Sequence, residues 1–358
     1  MPRPPRGFHL PPFVMTPEDL EEVALHVEEN LAAGREEMFW PISTGFAPID
    51  GYSGGGLHAG DLTIVGGVQN VGKTALVLQW ANHIAVNDAL TIVVCYEHST
   101  ITLWERLLCQ NSYLANPEDY INVDLLRTAY IETIRERDRN RAEPSLGKMH
   151  MLDEVLSRVP RGTEAWSMLS DRMRNIWLVM GDGVNTDLVS LSRYVELAIQ
   201  HYNKSRVVLV IDYVQRVPVI EPSRALETEE RIERILAGLK GLAMRTTSQG
   251  AVLTVVAVGA ADDDGLRRGR VHFENLWGNS VMQYEPDVAL IGNRDGVDVD
   301  GVPLVRWSLE KNRRGESNIE FRHRYHGAAY SFEPTGIIID HDESWQYERD
   351  GFENRCEG

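Results

Sequence analysis

Seven short apolar runs recur along the chain: Asp61–Gly67, Ala89–Glu97, Asn175–Asp182, Arg206–Val214, Ala251–Gly259, Pro286–Asp295 and Val305–Asn312. Longer stretches of helical periodicity separate most of them. Near-continuous Val, Ile and Leu is what strands covered on both faces require. Strands alternating with helices then imply an α/β fold, a mostly parallel sheet flanked by helices. The pattern fits one domain over residues 42–334 of the 358, and a chain of that length can bury roughly three quarters of its unfolded surface.

Three further segments lie around or within that domain. Residues 1–41 form an arm: "MPRPPRGFHLPPFVM" is Pro-rich and expected to be extended or disordered. "TPEDLEEVALHVEENLAAGRE" follows and predicts a helix over 17–34, with Thr16 as N-cap, Pro17 in the first turn and Gly34 at the end. Its stripe of Leu20, Val23, Ala24, Val27 and Leu31 must pack on its own domain or on a neighbouring subunit. Residues 135–166 are charge-rich and read as an insertion with a helix or two of its own. Residues 335–358 read as an acidic, partly unstructured tail.

Composition excludes several classes. Cys95, Cys109 and Cys356 are far apart without CxxC spacing, so they make neither a disulfide framework nor a zinc site and fit reduced thiols in a cytoplasmic protein. Prolines interrupt any signal peptide, and no segment approaches 18 uncharged apolar residues, so no membrane association is expected. A net charge of −17 argues against a surface that coats nucleic acid, though a local basic channel remains compatible with it.

The segment Gly67-Val-Gln-Asn-Val-Gly72-Lys73-Thr74 fits G-x-x-x-x-G-K-[ST] between an apolar run and a helical pattern, which is the context a phosphate-binding loop needs. Gly67, Asn70, Gly72, Lys73, Thr74 and Ala75 are the expected nucleotide-binding residues. Glycines let backbone N–H groups wrap the phosphates, Lys73 reaches the terminal ones, and the helix N-terminus adds its dipole. Thr74 and Asp212, at the end of "RVVLVIDYV", are expected to hold Mg²⁺. Glu97, ending "TIVVCYE", is the candidate that orients the attacking water. The blander alternatives are a helix-capping Asp and an exposed strand-end Glu.

With these pieces in this order the chain resembles the ATPase domain of the DnaB family of replicative hexameric helicases, members of the RecA-like P-loop class. The resemblance is carried by "ISTGFAPIDGYSGGGLHAGDLTIVGG", by the phosphate loop, by "CYEHS", by "VIDYVQ" and by "LEKNRRGE", where the family has K-x-R-x-G. It implies ATP and Mg²⁺ as ligands, a ring of six subunits with ATP sites between them, and adenine rather than guanine. Gln215 matches the family's sensor between the γ-phosphate and the DNA-facing loops. Lys311 and Arg313 match the pair inserted into the next subunit's site; an arginine supplied in trans can add roughly 10³ to 10⁵ in rate. Without the resemblance, "KNRR" reads equally as a solvated basic turn. The helix at 17–34 matches the family's linker helix, which packs on the adjacent subunit.

Two departures bear on function. About 40 residues stand in place of the family's helical collar domain, so a stand-alone replicative helicase is not expected. The loop after Gly259 reads "GAADDDGLRRGRVHFENLWGNS", where Asp262, Asp263 and Asp264 repel phosphate while Arg267, Arg268 and Arg270 attract it. Trp277 is either a base-stacking or a packing residue. The leading expectation is an ATP-driven ring motor on single-stranded DNA. Its alternative is a DNA-independent oligomeric ATPase acting as a switch in a complex with an unknown protein partner; a recombinase-like filament is a third.

Overall fold

Each of the seven runs forms a strand in the computed structural model, which describes residues 18–87, 89–139, 150–219, 227–248, 250–262, 265, 267, 269–276 and 284–339. The strands are β1 Leu62–Gly67, β2 Leu90–Cys95, β3 Ile176–Met180, β4 Arg206–Asp212, β5 Val252–Val258, β6 Val288–Val297 and β7 Pro303–Asn312, followed by β8 Ile319–His326, β9 Ser331–Phe332 and β10 Ile337–Ile338. The helices are α1 Leu20–Ala32, α2 Ala47–Tyr52, α3 Lys73–Ile84, α4 Thr100–Ala115, α5 Val123–Arg139, α6 His150–Ser157, α7 Gly162–Ser170, α8 Leu188–Gln200 and α9 Thr228–Ser248.

The sheet runs β10-β8-β7-β6-β1-β5-β4-β2-β3, with β9 paired to β8. From β6 to β3 every pairing is parallel; β7, β8 and β10 add an antiparallel wing. The central strands β1, β2, β4 and β5 are buried almost throughout, as their unbroken apolar runs demand. One face packs under α3, α4 and the insertion helices with Trp80, Trp307 and Phe332. The other packs under α8 and α9 with Leu191, Ile235 and Leu239.

The flanking segments differ from expectation in three respects. Helix α1 begins at Leu20, because Asp19 accepts from the N–H groups of Glu21 and Glu22 while Glu22 accepts from that of Asp19. This reciprocal capping box sets the start that the sequence assigned to Thr16 and Pro17, which lie outside the described residues. None of the residues of α1 is buried. The charge-rich region contributes α6 and α7, whose Val155, Leu156, Ala165 and Leu169 join the core beneath α4. Finally, Ile337 and Ile338 pair with Arg322 and Phe321, so the sheet continues past Thr335.

Candidate active site

The C-terminal ends of the parallel strands converge on a cleft of about 580 Å³. Strand β1 delivers the phosphate loop to it. Gly67 adopts φ +138°, and a Cβ there would lie 2.2 Å from the Gly292 carbonyl oxygen on β6, so only glycine fits. Asn70 is left-handed at φ 59°, a conformation asparagine tolerates. Gly72 is at φ +91°, where a Cβ would meet the Phe332 ring at 2.7 Å. Helix α3 then starts at Lys73 with its N-terminus facing the cleft, which Ala75 also lines.

Lys73 Nζ donates to the carbonyl oxygens of Gly67 (3.0 Å) and Val68 (2.8 Å). Burial holds its pKa below that of an ordinary lysine, and the carboxylates of Asp212 and Glu97 offset this in part. Thr74 Oγ1 donates to Asp212 Oδ2 at 2.8 Å. Asp212 ends β4, fully buried; desolvation raises its pKa against the hydrogen bonds from Thr74 and Cys95. The Cys95 thiol, 3.5 Å from Asp212, is itself pushed up to about 12 by burial and by that carboxylate. Cys95 lies level with Asp212 across the β2–β4 ladder, so Glu97, two residues on, stands exposed at the cleft mouth.

Gln215 lies just behind the cleft. Its Oε1 accepts from the Ala260 N–H at 3.3 Å, and its buried Nε2 has no partner among the described residues. Ala260 lines the cleft and opens the loop after β5, so Gln215 bridges the Asp212 segment and that loop.

Lys311 and Arg313 are at the other end of the sheet. Arg313 donates from Nη1 to Asp287 Oδ1 (3.2 Å) and from Nη2 to the Tyr284 carbonyl (2.7 Å), which Lys311 Nζ also reaches at 3.0 Å. Burial, then the neighbouring Arg313, depress the Lys311 pKa. Asp287 pairs its backbone with Leu62, the first residue of β1. The length of β1, ~17 Å at ~3.3 Å per residue, therefore separates Arg313 from the phosphate loop of its own subunit.

The loop candidates divide. Arg270 is ion-paired with the buried Glu320 of β8, which Arg306 also engages, so it serves to fasten the loop to the antiparallel wing. Arg267 is exposed. Arg268 and Trp277 lie outside the described residues. Asp262 accepts from the Gly265 N–H at 2.6 Å, a local turn contact.

Sequence reasoning missed one wall of the cleft. Arg106 of α4 lies over the Tyr330 ring, 4.7 Å from its centroid, and Tyr325 stacks on Phe332 at 4.4 Å. Burial pushes the Tyr325 phenol up to about 12. His98 also lines the cleft, its pKa depressed first by burial and then by Arg106. The aromatic spacing in "RYHGAAYSF" was the available signal.

The donor set suits a magnesium nucleotide. A buried ammonium whose bonds go to neutral carbonyls and a buried carboxylate bonded only to a hydroxyl and a thiol share one cleft without bonding each other. Phosphates would compensate the first and a cation the second. One carboxylate and one hydroxyl, completed by phosphate and water oxygens, is the way Mg²⁺ is commonly held.

Fold and site together define a RecA-like P-loop ATPase domain. The model of the DnaB-like helicase C terminal domain matches residues 41–256, more than half of the chain, and the chain belongs to that family. Its fold is similar to a solved helicase-type ATPase domain: TM-score 0.63 and 16% identity, over 88% of this chain and 99% of that one. It is also similar to a DnaB-like replicative helicase whose structure was described with its interactions with primase: TM-score 0.59 and 15% identity, over 88% of this chain and 67% of that one. At such identities the likeness is one of fold. No curated protein sequence gives a match. The family match ends within β5, so Lys311 and Arg313 lie beyond it.

Proposed function

We propose that the chain is the ATP-hydrolysing subunit of a ring motor acting on single-stranded DNA. The observation that carries this is the separation of parts: Lys73, Thr74, Asp212 and Glu97 gather at one end of the sheet, and Arg313 is held ~17 Å away at the other. Such a site is completed by the same residue of the next copy, a head-to-tail contact that generates a ring when its rotation closes. The exposed stripe of α1 supports the same assembly. Uncovered by its own chain, it fits packing on a neighbour.

In the proposed reaction Lys73 exchanges its two loop carbonyls for β- and γ-phosphate oxygens, and the α3 N-terminus adds its dipole. Thr74 and Asp212 would hold Mg²⁺, which when bound neutralises charge developing on the phosphate oxygens. Glu97 accepts a hydrogen bond from water and aims its lone pair at the γ-phosphorus. The bond to the ADP oxygen breaks as the new P–O bond forms, and the water proton passes to Glu97. Arg313 of the neighbouring copy stabilises the spread negative charge. Tyr325 and Tyr330, with Arg106 across the latter, offer the base a stacking wall. Gln215 would relay the γ-phosphate state to the loop beginning at Ala260.

A second reading, an oligomeric ATPase that switches a protein partner without touching DNA, is favoured by one observation. Arg270, a third of the loop's arginine complement, is engaged by Glu320. Unwinding of a forked duplex by the assembled protein, with Lys73→Ala as control, separates the two. ATP-dependent strand release lost in Lys73→Ala supports the motor; ATP turnover without strand release sinks it.

A further inference from the structure

The turn carrying Arg313 is fastened to the sheet by more than its own hairpin. Arg314 makes a bidentate pair with the buried Asp61 (2.7 and 2.9 Å), and Asn312 Nδ2 donates to the Tyr52 carbonyl at 2.8 Å. Asp287, also buried, is the hub. Its Oδ2 accepts from the Leu62 N–H at 2.8 Å and from Lys240 Nζ at 2.6 Å, leaving Oδ1 for Arg313. A carboxylate fixed from two other directions cannot turn with its guanidinium. The guanidinium uses two of its five N–H donors, on Asp287 and Tyr284, and half of the side chain remains exposed. A solvated basic turn would need none of these buried anchors.

We infer that Asp287 is a positioning residue that aims Arg313 at the neighbouring subunit's phosphates, an inference that rests on the trans-arginine reading above. Arginine carries about 2 kcal/mol of rotamer entropy, and holding it beforehand removes that cost at the moment of reaction. Lys240 and Asp61 act one step back, keeping the hub charged and the turn down.

Asp287→Asn tests this, because the amide oxygen can still accept from Leu62 while the charge that holds Arg313 is lost. The expected result is a fall in kcat of roughly 10- to 100-fold with little change in KM for ATP. A wild-type kcat would overturn the inference. Since weakening β1 in its own subunit would also lower kcat, the decisive readout is complementation in mixed rings. Asp287→Asn and Lys73→Ala subunits with different tags are co-assembled and purified through both tags. An Asp287→Asn site followed by a Lys73→Ala neighbour has an intact loop and an intact arginine, and about one interface in four is of this kind. Activity well above either parent is therefore expected. Arg313→Ala mixed with Lys73→Ala is the parallel control. If the control recovers and the Asp287→Asn mixture does not, Asp287 acts in its own subunit and the inference fails alone. If neither recovers, the trans-arginine reading fails with it. Should Asp287→Asn not assemble, Asp287→Glu, which keeps the charge and displaces it by one methylene, carries the same pair of tests.

Discussion

Leu20 and Leu31 of α1 expose 88% and 59% of their surfaces, close to one and a half whole side chains between them. Fully burying a leucine is worth about 2 kcal/mol, so covering these two on a neighbouring subunit contributes about 3 kcal/mol per interface. Leu20→Ser/Leu31→Ser should therefore weaken each contact roughly 100-fold, at 1.4 kcal/mol per decade. Asp19 and Glu22, which cap the helix, are untouched, and neither leucine supports the fold of its own domain. Light scattering across a dilution series measures the effect: wild-type rings persist to concentrations where the variant is monomeric, while both chains unfold at the same urea midpoint. ATP turnover per subunit should follow the ring fraction. A variant that dissociates at the wild-type concentration refutes α1 as an intersubunit element; a lowered urea midpoint shows that the stripe packs on its own domain instead.

Other consequences reach the loop, the wing and the thiols. Arg270→Ala leaves the buried Glu320, which Arg306 also engages, with one cation fewer and should cost roughly 2 to 3 kcal/mol in urea denaturation, with Glu320→Gln in the same background restoring part of the loss. His323 is buried, donates from Nδ1 to the Glu333 carbonyl at 2.8 Å, and has its pKa held below 6.5 by desolvation. A depressed histidine stabilises the fold above its unfolded pKa, and that stability is lost as pH falls below about 6.5. His98 acts in the same direction, so urea midpoints should drop between pH 7.5 and 5.5, and less steeply in His323→Asn. Cys95 and Cys109 are buried with thiols pushed up to about 12. Neither should react with a disulfide reagent at pH 8 until urea unfolds the chain, as peptide mapping would report.

The parallel core was legible because strands buried on both faces must be continuous apolar runs, and the phosphate loop because its glycines answer steric demands visible in Gly67 and Gly72. Strand β8 escaped because "IEFRHRYH" alternates and mixes Arg and His into an edge region of the sheet that is part exposed. Strands β9 and β10, of two residues each, have no period to detect. The start of α1 was misread because Thr16-Pro17 and Asp19-x-x-Glu22 are both plausible entries, and only the hydrogen bonds decide. Arg270 read as a phosphate contact because its partner Glu320 lies 50 residues away, and an ion pair of that span leaves no local trace. For the same reason Arg106, 224 residues before Tyr330, and Asp287, 26 before Arg313, were silent in the sequence.

The central claim is that hydrolysis occurs in a site shared between subunits and is geared to DNA. Steady-state ATP turnover with and without single-stranded DNA, on a sample of mass checked by light scattering and beside Arg313→Ala, tests it most directly. Turnover by the assembled ring that rises strongly with DNA and collapses in Arg313→Ala is the predicted result. A rate indifferent to both DNA and Arg313 would contradict it.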